Sequence, residues 1–290
     1  MNGCTEATRD EHPALDLTQW LGREERRTDR IDERIAQALA ATLDLDPDGF
    51  ATGAELPPLW HWVYFTPKAR RSEIGVDGHP QRGGFLPPIA LPNRMWAGGR
   101  LTFIQPLRVG EAVERTSRIA RCERKSGRNG ELVFVTVEHS ITGERGLCLV
   151  EEQDIVYRQL TVGTAPLAGA PVEGCAEFGG RIQPDPVLLF RYSALTFNGH
   201  RIHYDQPYTT AEEGYPGLVV HGPLAATLLL EAFRAAHPAR RVRQFAFRAV
   251  GPLFANTVFD LCGELTGPDS AALWTDCDGR LSMKADLSFD

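Results

Sequence analysis

The chain has 290 residues, of which 42% are hydrophobic, and it carries 31 Lys and Arg residues against 38 Asp and Glu residues. These proportions are typical of a globular protein with a sizeable core, and they argue against disorder as the main state. The net charge of −7 argues against general nucleic-acid binding, which needs a basic face.

The cysteines and the N-terminal residues bear on the cellular compartment. The six cysteines lie far apart and form no CxxC pair, which fits reduced thiols better than disulfides or a zinc ribbon. The first 30 residues are too charged for a signal peptide, and no run approaches about 18 apolar residues. We therefore expect a cytoplasmic protein without a membrane segment.

The first predicted element is an amphipathic helix over residues 28–44, with Thr28 or Asp29 as its N-cap. Seven prolines follow between residues 57 and 92. Proline lacks the amide proton and clashes with the preceding helical turn. No helix of useful length is therefore expected across residues 84–93.

Alternating apolar and polar residues then predict an antiparallel sheet. Four segments carry this pattern, with SGRNG and TGERG turns among them: RLTFIQPL, EAVERTSRIARCE, ELVFVTVEHSIT and GLCLVEEQDIVYRQL. Residues 161–180 are rich in Gly, Ala and Pro and are predicted to be a linker. The predicted organisation is an N-terminal unit at 1–160, this linker, and a C-terminal unit at 181–290.

The second half is predicted to form a sheet around a buried helix. It opens with PVLLFRYSALTF, interpreted as a strand, and reaches PLAATLLLEAFRAAH at residues 223–237. That segment is apolar on nearly every side and begins with Pro223, which a first helical turn tolerates, so it is predicted to be a buried helix. Four alternating segments follow it: RVRQFAFRAV, NTVFDLCGEL, AALWTDCD and RLSMKADLSF.

A weak internal repeat relates the two halves. PLRVGEAV at 106–113 and PLFANTVF at 252–259 share Pro-Leu, and each has a residue that tolerates a left-handed turn four positions after the proline, Gly110 or Asn256. An echo this short arises by chance as well, but both copies are flanked by predicted strands. We interpret the chain as two copies of one α+β unit, the first having replaced its buried helix with the proline-rich stretch 80–93.

The densest polar cluster lies in FNGHRIHYD at residues 197–205, followed by GLVVHGPL at 217–224. Histidine suits proton transfer in both directions near neutral pH, and the amide of Asn198 can hold a water molecule. Gly222 lies at the start of the buried helix, where free N–H groups and the helix dipole can stabilise an oxyanion. A base, a water holder and an oxyanion donor are what the addition of water next to a carbonyl requires.

These residues also have structural interpretations. A single histidine is more often structural than catalytic, and Asp205 is as suited to cap a helix starting near Thr209 as to contact substrate. His200 and His203 with Asp205 have the donor types of a metal site. The HExxH glutamate and a closing carboxylate are missing, however, so no metal is expected.

The cluster resembles the active-site region of a known family. RYSALTFNGHRIHYD followed by YPGLVVHGPL is similar to that region of MaoC-like hydratases and dehydratases of the hotdog fold, whose pattern is Asp-x-Asn-Pro-x-His with a downstream His-Gly. The segments LPPLWHWVYF, DGHP, GGFLPP and LPNRMWAGGRL resemble the double-hotdog subfamily, which includes mitochondrial 3-hydroxyacyl-thioester dehydratase and bacterial mesaconyl-CoA and itaconyl-CoA hydratases. The similarity runs over most of residues 15–290.

The resemblance implies an α+β double hotdog, with antiparallel sheets each wrapped around a helix and a first hotdog that lacks a regular central helix. It places the family's catalytic histidine on His203 and its oxyanion glycine on Gly222. Asn198 stands at the family's catalytic aspartate position, and His200 stands at its asparagine position. No carboxylate then shares the general-base role, which shifts to His203.

The expected function is reversible hydration of an enoyl thioester of coenzyme A, with Asn198 holding water, His203 acting as base and His200 contributing to substrate binding. The expected substrate is a short branched dicarboxylic acyl-CoA, itaconyl-CoA or mesaconyl-CoA, giving citramalyl-CoA. Its carboxylate needs a cation, for which Arg94 or Arg100 is the candidate.

Three alternatives stay open: a dehydratase of straight-chain 3-hydroxyacyl thioesters, a noncatalytic acyl-CoA-binding protein, and a thioesterase. No cofactor is expected, because coenzyme A is part of the substrate. A homodimer or higher homo-oligomer that binds neither nucleic acid nor membranes is expected.

Overall fold

The computed structural model describes residues 15–127, 130–159 and 169–290, and ten strands lie in these ranges. The strands are β1 (Glu24–Arg30), β2 (Asn93–Phe103), β3 (Ala112–Gly127), β4 (Gly130–Gly143), β5 (Gly146–Arg158), β6 (Phe178–Ile182), β7 (Val242–Ala249), β8 (Phe259–Gly267), β9 (Ser270–Cys277) and β10 (Arg280–Phe289). The α-helices are α1 (Glu33–Thr42), α2 (Pro186–Leu195), α3 (Gln206–Ala211) and α4 (Gly222–Ala236). Short 3-10 helices lie at Leu17–Trp20, Pro47–Phe50, Trp60–Val63, Arg71–Glu73 and Arg201–His203.

All ten strands belong to one antiparallel sheet in the order β1-β3-β4-β5-β2-β7-β10-β9-β8-β6. The first five strands form one half, and the last five repeat its order as β6-β8-β9-β10-β7. The halves meet where β2 pairs with β7, and there a Cβ atom on Gly98 would collide with the carbonyl of Phe247. The predicted pair of α+β units is therefore confirmed, with their two sheets joined edge to edge.

The turn that suggested the repeat has the same geometry in both halves. Gly110 has a φ of +95° and Asn256 a φ of +63°, both left-handed as predicted. The Gly110 N–H donates to the carbonyl of Ile31 at 2.7 Å, and the Asn256 N–H donates to the carbonyl of Pro184 at 2.6 Å. Each turn is thus hydrogen-bonded to the residue that precedes the N-cap of an α-helix, α1 in the first half and α2 in the second.

Helix α4 is the buried helix of the second half, as predicted. Pro223 lies in its first turn, and its apolar residues pack against β6, β8, β9 and β10. Five of these residues are completely buried: Leu224, Ala226, Leu229, Leu230 and Phe233.

In the first half, the 3-10 turn Trp60–Val63 takes the place of α4. A corresponding hydrogen bond precedes both positions. The Leu56 N–H donates to the Leu107 carbonyl in the first half, and the Val220 N–H donates to the Leu253 carbonyl in the second, each at 2.8 Å. After it, the first half makes one short turn where the second half makes a helix of 15 residues. The expectation of a first hotdog without a regular central helix is confirmed, but the turn at the start of this position is Trp60–Val63 and not the predicted stretch 80–93.

Aromatic and polar side chains fill the first half where α4 is missing. Trp60 is completely buried and donates its indole N–H to Glu231 on α4 at 2.8 Å. Glu151, also buried, lies 3.0 Å from Nε2 of His61 and accepts the indole N–H of Trp62 at 2.8 Å. Burial raises the pKa of Glu151, but the hydrogen bond from His61 and its charge outweigh burial and hold this pKa at about 2. An ionised carboxylate therefore lies inside the first half.

The proline-rich segment covers a second core. Ile89 and Leu91 pack there with Ile119 of β3 and with valines of β4. Residues 84–93, all within the described part, contain no helix, and β2 begins at Asn93. The prediction from the proline positions is confirmed.

Two element predictions need correction. Helix α1 begins at Glu33 with Asp32 as its N-cap, whereas Thr28 and Asp29 lie in β1, where they pair with β3. The segment PVLLFRYSALTF forms helix α2 and is not a strand. A continuous apolar run does not distinguish strand from helix, and the Asp185 side chain accepting the Leu188 N–H starts a helix here.

The predicted boundaries at 160 and 180 stay a prediction. Residue 160 and residues 161–168 of the proposed linker lie outside the described residues, and β6 begins at Phe178, inside the segment 161–180. Across the described residues, no helix is both long and apolar enough to cross a membrane.

Candidate active site

Four histidines line up where a loop of the first half meets the second half, and we call them the histidine row: His79, His200, His203 and His221. The ring centroids of His79 and His200 lie 4.1 Å apart, and those of His200 and His203 lie 5.5 Å apart. His203 and His221 stack at 3.6 Å with their planes 18° apart. The row brings together three histidines of the polar cluster and one from the first half.

Asn198 is placed beside the row by the end of helix α2. Phe197 has a left-handed φ of +50°, and the Asn198 N–H donates to the carbonyl of Ser193 at 2.8 Å, which is the pattern of a Schellman helix end. Such a φ is costly for a residue other than glycine and persists only where the surroundings enforce it. The side-chain oxygen of Asn198 accepts the His200 N–H at 3.0 Å, so its NH2 group is the part suited to hold a ligand.

His203 is held in one tautomer. Its Nδ1 lies 2.7 Å from the carbonyl oxygen of Val219, and a carbonyl only accepts hydrogen bonds. Nδ1 therefore carries the proton, and Nε2 carries the lone pair. Burial lowers the pKa of His203 to about 4, with the hydrogen bond to Val219 partly offsetting burial. The ring is thus neutral at pH 7 and presents a base nitrogen.

His221 stacks on His203 and is the residue directly before α4. Its Nε2 lies 2.8 Å from the Ser193 hydroxyl, while its Nδ1 is buried without a hydrogen-bond partner among the described residues. Burial, followed by the charge of His203, lowers the pKa of His221 well below its usual range. Two stacked imidazoles do not readily carry charge together, so at most one of this pair is protonated at a time.

Gly222 follows His221 as the first residue of α4. The N–H groups of a first helical turn have no partner within the helix, and the helix dipole makes this end positive. A Cβ atom on Gly222 would meet nothing within 4 Å, so open space borders its backbone. The Gly222 N–H has no partner within the helix, and Gly222 stays the predicted oxyanion donor.

A loop of the first half delivers Asp77 and His79 to the row. Asp77 Oδ2 lies 3.1 Å from Nδ1 of His79, and the Asp77 carbonyl accepts the Arg201 N–H at 2.9 Å. A Cβ atom on Gly78 would collide with the carbonyl of Gly199, so the two backbones are in direct contact. Burial raises the pKa of Asp77, but hydrogen bonds from His79 outweigh burial and leave this carboxyl ionised.

The two arginines predicted to bind a substrate carboxylate lie at different ends of β2. Arg94 is close enough to the row that its charge adds to the effect of burial and lowers the pKa of two of the histidines. Arg100 is six residues further along the strand, about 20 Å away, and its guanidinium pairs with Glu152 at 2.6 Å and Asp154 at 2.7 Å. The structure pairs Arg100 with carboxylates away from the row, which leaves Arg94 as the candidate.

Asp205 belongs to the local fold. It caps α3 and forms an ion pair with Arg201 at 2.7 Å, which fits the capping interpretation rather than a metal ligand. Within the described ranges, the donor set close enough to hold a metal ion is a different one: Asp77, His79 and His200, whose ligand atoms lie within 4.8 Å of one another.

Four residues at the row received no role from the sequence: Asp77, His79, Ser193 and His221. The motif DGHP contains two of them, and in the sequence it stands out only through the family resemblance. Its contact with His200 depends on the packing of Gly78 against Gly199, which no local pattern encodes.

Comparison with known sequences gives two agreeing results. Residues 59–255 match the family model described as Hydroxyacyl-thioester dehydratase type 2. The chain is 49% identical over 272 residues to mesaconyl-C(4)-CoA hydratase of Chloroflexus aurantiacus, an alignment that covers 89% of this chain and 95% of that protein.

Solved structures share the fold. A MaoC-like dehydratase from Phytophthora capsici superposes with a TM-score of 0.72 at 14% identity, covering 95% of this chain and 99% of that one. A Mycobacterium tuberculosis protein described as a double hotdog superposes with a TM-score of 0.59 at 12% identity, covering 93% of this chain and 96% of that one. At these identities the similarity shows the fold alone, and it confirms the predicted double hotdog.

Proposed function

The chain belongs to the hydroxyacyl-thioester dehydratase type 2 family, whose members are hydro-lyases, and we propose that it catalyses the reversible hydration of an enoyl thioester of coenzyme A. In the hydration direction, hydroxide adds to the β-carbon and a proton adds to the α-carbon. The reaction moves a proton and a hydroxide but no electrons, so we propose that it needs no redox cofactor. Coenzyme A enters as part of the substrate.

The substrate we propose is a short branched dicarboxylic acyl-CoA, mesaconyl-C(4)-CoA or itaconyl-CoA, either of which gives citramalyl-CoA. Water adds directly to mesaconyl-C(4)-CoA, whose double bond is conjugated with the thioester, whereas the double bond of itaconyl-CoA lies between the β- and γ-carbons and must first move to the α,β position. The 49% identity to the Chloroflexus aurantiacus enzyme supports this class. In both substrates, the carbon that receives the hydroxyl also carries a carboxylate. The presence of Arg94 near the histidine row supports binding of that anion.

The observation that carries the proposal is the fixed tautomer of His203. The hydrogen bond from Nδ1 to the Val219 carbonyl leaves Nε2 as an acceptor, and burial keeps the ring neutral at pH 7. A general base needs this combination of orientation and protonation state. It also compensates for the missing carboxylate at Asn198, because the base no longer depends on a neighbouring anion for its orientation.

In the proposed mechanism, the NH2 group of Asn198 donates a hydrogen bond to the oxygen of a water molecule. Nε2 of His203 takes one proton from this water as its hydroxide bonds to the β-carbon and the double bond breaks. Electron density moves to the thioester oxygen, where the Gly222 N–H stabilises the enolate. The His203 imidazolium then returns its proton to the α-carbon, which restores the neutral base and completes the addition of water.

The proposal is tested by assaying mesaconyl-C(4)-CoA, itaconyl-CoA and crotonyl-CoA side by side. Loss of enoyl-thioester absorbance follows the first and the third, and chromatographic detection of citramalyl-CoA follows itaconyl-CoA, whose double bond is not conjugated with the thioester. His203→Ala should lose at least ~10²-fold in turnover while keeping its fold, a typical effect of removing a general base. Asn198→Ala should also lose turnover. His237→Ala is the matched control, because His237 follows the far end of the 15-residue helix α4, about 22 Å from Gly222.

The same assay separates the alternatives. A preference for crotonyl-CoA would favour a straight-chain 3-hydroxyacyl-thioester dehydratase, which the matching family description also supports. Release of free thiol would indicate a thioesterase. Binding of acyl-CoA with no change in absorbance would indicate a noncatalytic binding protein.

A further inference from the structure

We propose that His79, oriented by Asp77, acts together with His200 and Arg94 to bind the carboxylate on the substrate carbon that receives the hydroxyl. This inference rests on the proposed function, because it assigns the specificity of the same site. It adds a first-half histidine to a site whose predicted catalytic residues all lie in the second half.

The position of the group fits the chemistry of the substrate. The carboxylate is bonded directly to the β-carbon, about 1.5 Å away, so the residues that bind it must lie next to the base. His200 is in contact with His203 at a centroid distance of 5.5 Å, and His79 is in contact with His200 at 4.1 Å. A carboxylate beside His203 therefore has these two rings as its neighbours.

Two members of this group, Arg94 and His200, are not engaged by any acidic side chain that the structure describes. Among the described residues, Arg94 forms no ion pair and the ring nitrogens of His200 form no hydrogen bond, whereas Arg100 and Arg181 are paired with carboxylates. Asp77 accepts the Nδ1–H of His79 at 3.1 Å, so Nε2 of a neutral His79 holds a lone pair. Nε2 donates to a ligand carboxylate once the ring takes up a proton, which the negative charge of the ligand favours. A bound carboxylate would supply the acceptor that these groups lack.

The charges favour an anion over a metal ion, although the same residues have metal-binding types. Burial has the largest effect on the pKa of His79 and His200 and lowers both. The charge of Arg94 adds to this lowering at both rings, and the charge of Arg82 adds to it at His79. With the histidines neutral, two guanidinium groups and the Asp77 carboxylate leave one net positive charge. A single substrate carboxylate balances it, whereas a divalent cation would increase it.

The loop is held in place before substrate arrives. The Asp77 carbonyl accepts the Arg201 N–H at 2.9 Å, the Val76 carbonyl accepts from the Arg201 guanidinium at 3.1 Å, and Gly78 contacts Gly199. These contacts fix His79 relative to His200 without a contribution from the ligand. Binding of the carboxylate therefore does not require the loop to be ordered first.

The test compares two saturated thioesters that differ at the β-carbon. Succinyl-CoA carries a carboxylate there, and butyryl-CoA carries a methyl group. Calorimetric titration of the wild type should give a succinyl-CoA Kd lower than the butyryl-CoA Kd by about tenfold or more, the effect of one or more charge-assisted hydrogen bonds. His79→Gln and Arg94→Gln should each reduce this preference, while Arg181→Gln, which removes an exposed ion pair elsewhere, should keep it.

The proposal is overturned if His79→Gln and Arg94→Gln keep the wild-type ratio of the two Kd values, or if both ligands weaken equally. It is also overturned if EDTA abolishes the preference and added Zn²⁺ restores it, because the cluster would then be a metal site. Since neither ligand has a double bond, the titration measures binding at the carboxylate subsite even if the protein hydrates no enoyl-CoA. Failure of the hydration assay and failure of this inference therefore give different results.

Discussion

Acidification should leave hydration almost unchanged down to about pH 5, because His203 stays neutral well below the usual range of histidine. A pKa of about 4 means that about one ring in a thousand is protonated at pH 7 and about one in ten at pH 5. A histidine with an ordinary pKa near 6.5 would be only about 3% neutral at pH 5. The two cases differ about thirtyfold in the expected kcat/KM at that pH.

The measurement is kcat/KM for hydration of mesaconyl-C(4)-CoA between pH 4.5 and 8, with far-UV circular dichroism at each pH. The second measurement is needed because the folded state also loses stability in this window. The unfolded chain binds a proton at the ordinary histidine pKa, and the folded state binds it only near pH 4, so the free energy of unfolding falls from about pH 6.5 downward. We expect the value at pH 5 to lie within twofold of the value at pH 7.5. A tenfold or larger decrease in a protein that is still folded would refute the assignment of His203 as a buried neutral base.

Two further predictions concern the oxyanion donor and the buried carboxylate. Gly222→Pro removes the backbone N–H at a helix position that accepts proline, and this variant should lower kcat by ~10²- to 10³-fold. Gly222→Ala keeps the N–H and its methyl group meets no neighbour, so its kcat should stay within a few fold of the wild-type value. Equal losses of kcat in the two variants would exclude the N–H as the oxyanion donor. Glu151→Gln leaves the groups around a buried anion without their charged partner, and urea denaturation should show a loss of about 3 kcal/mol. Glu152→Gln, on the partly exposed face of the same strand, should lose less than about 1 kcal/mol, and similar losses for the two variants would contradict the burial argument.

The parts of the fold that were predictable from sequence are those with a local cause. Helix α4 is apolar on nearly every side and has a proline in its first turn, and the turns at Gly110 and Asn256 use residues that tolerate a positive φ. Helix α2 was wrongly assigned as a strand because its apolar run has no helical period. Asp185 followed by Pro186 is a helix-start signal that the sequence does carry, whereas the left-handed Phe197 that ends the helix is not visible as a pattern.

The site residues likewise divide into those that the local sequence groups together and those that only the fold brings together. Asn198, His200 and His203 lie within six residues of one another, so they could be grouped from the sequence. His79 joins them only because two backbones touch at glycines far apart in the chain. The choice between Arg94 and Arg100 also needed the structure, because the two are equivalent as sequence and differ only in what surrounds each on β2.

The pairing of β2 with β7 unites two halves that have ceased to be interchangeable. A chain built from two copies of the second half would have two sets of His200, His203 and His221 but no DGHP loop. On the proposed assignment, such a chain would hydrate enoyl-CoA substrates without distinguishing a carboxylate from a methyl group on the β-carbon. The present chain has one histidine row among its described residues, with contributions from both halves. After a duplication, the first half would thus have lost its own catalytic histidines and gained residues that select the substrate at the site of the second half.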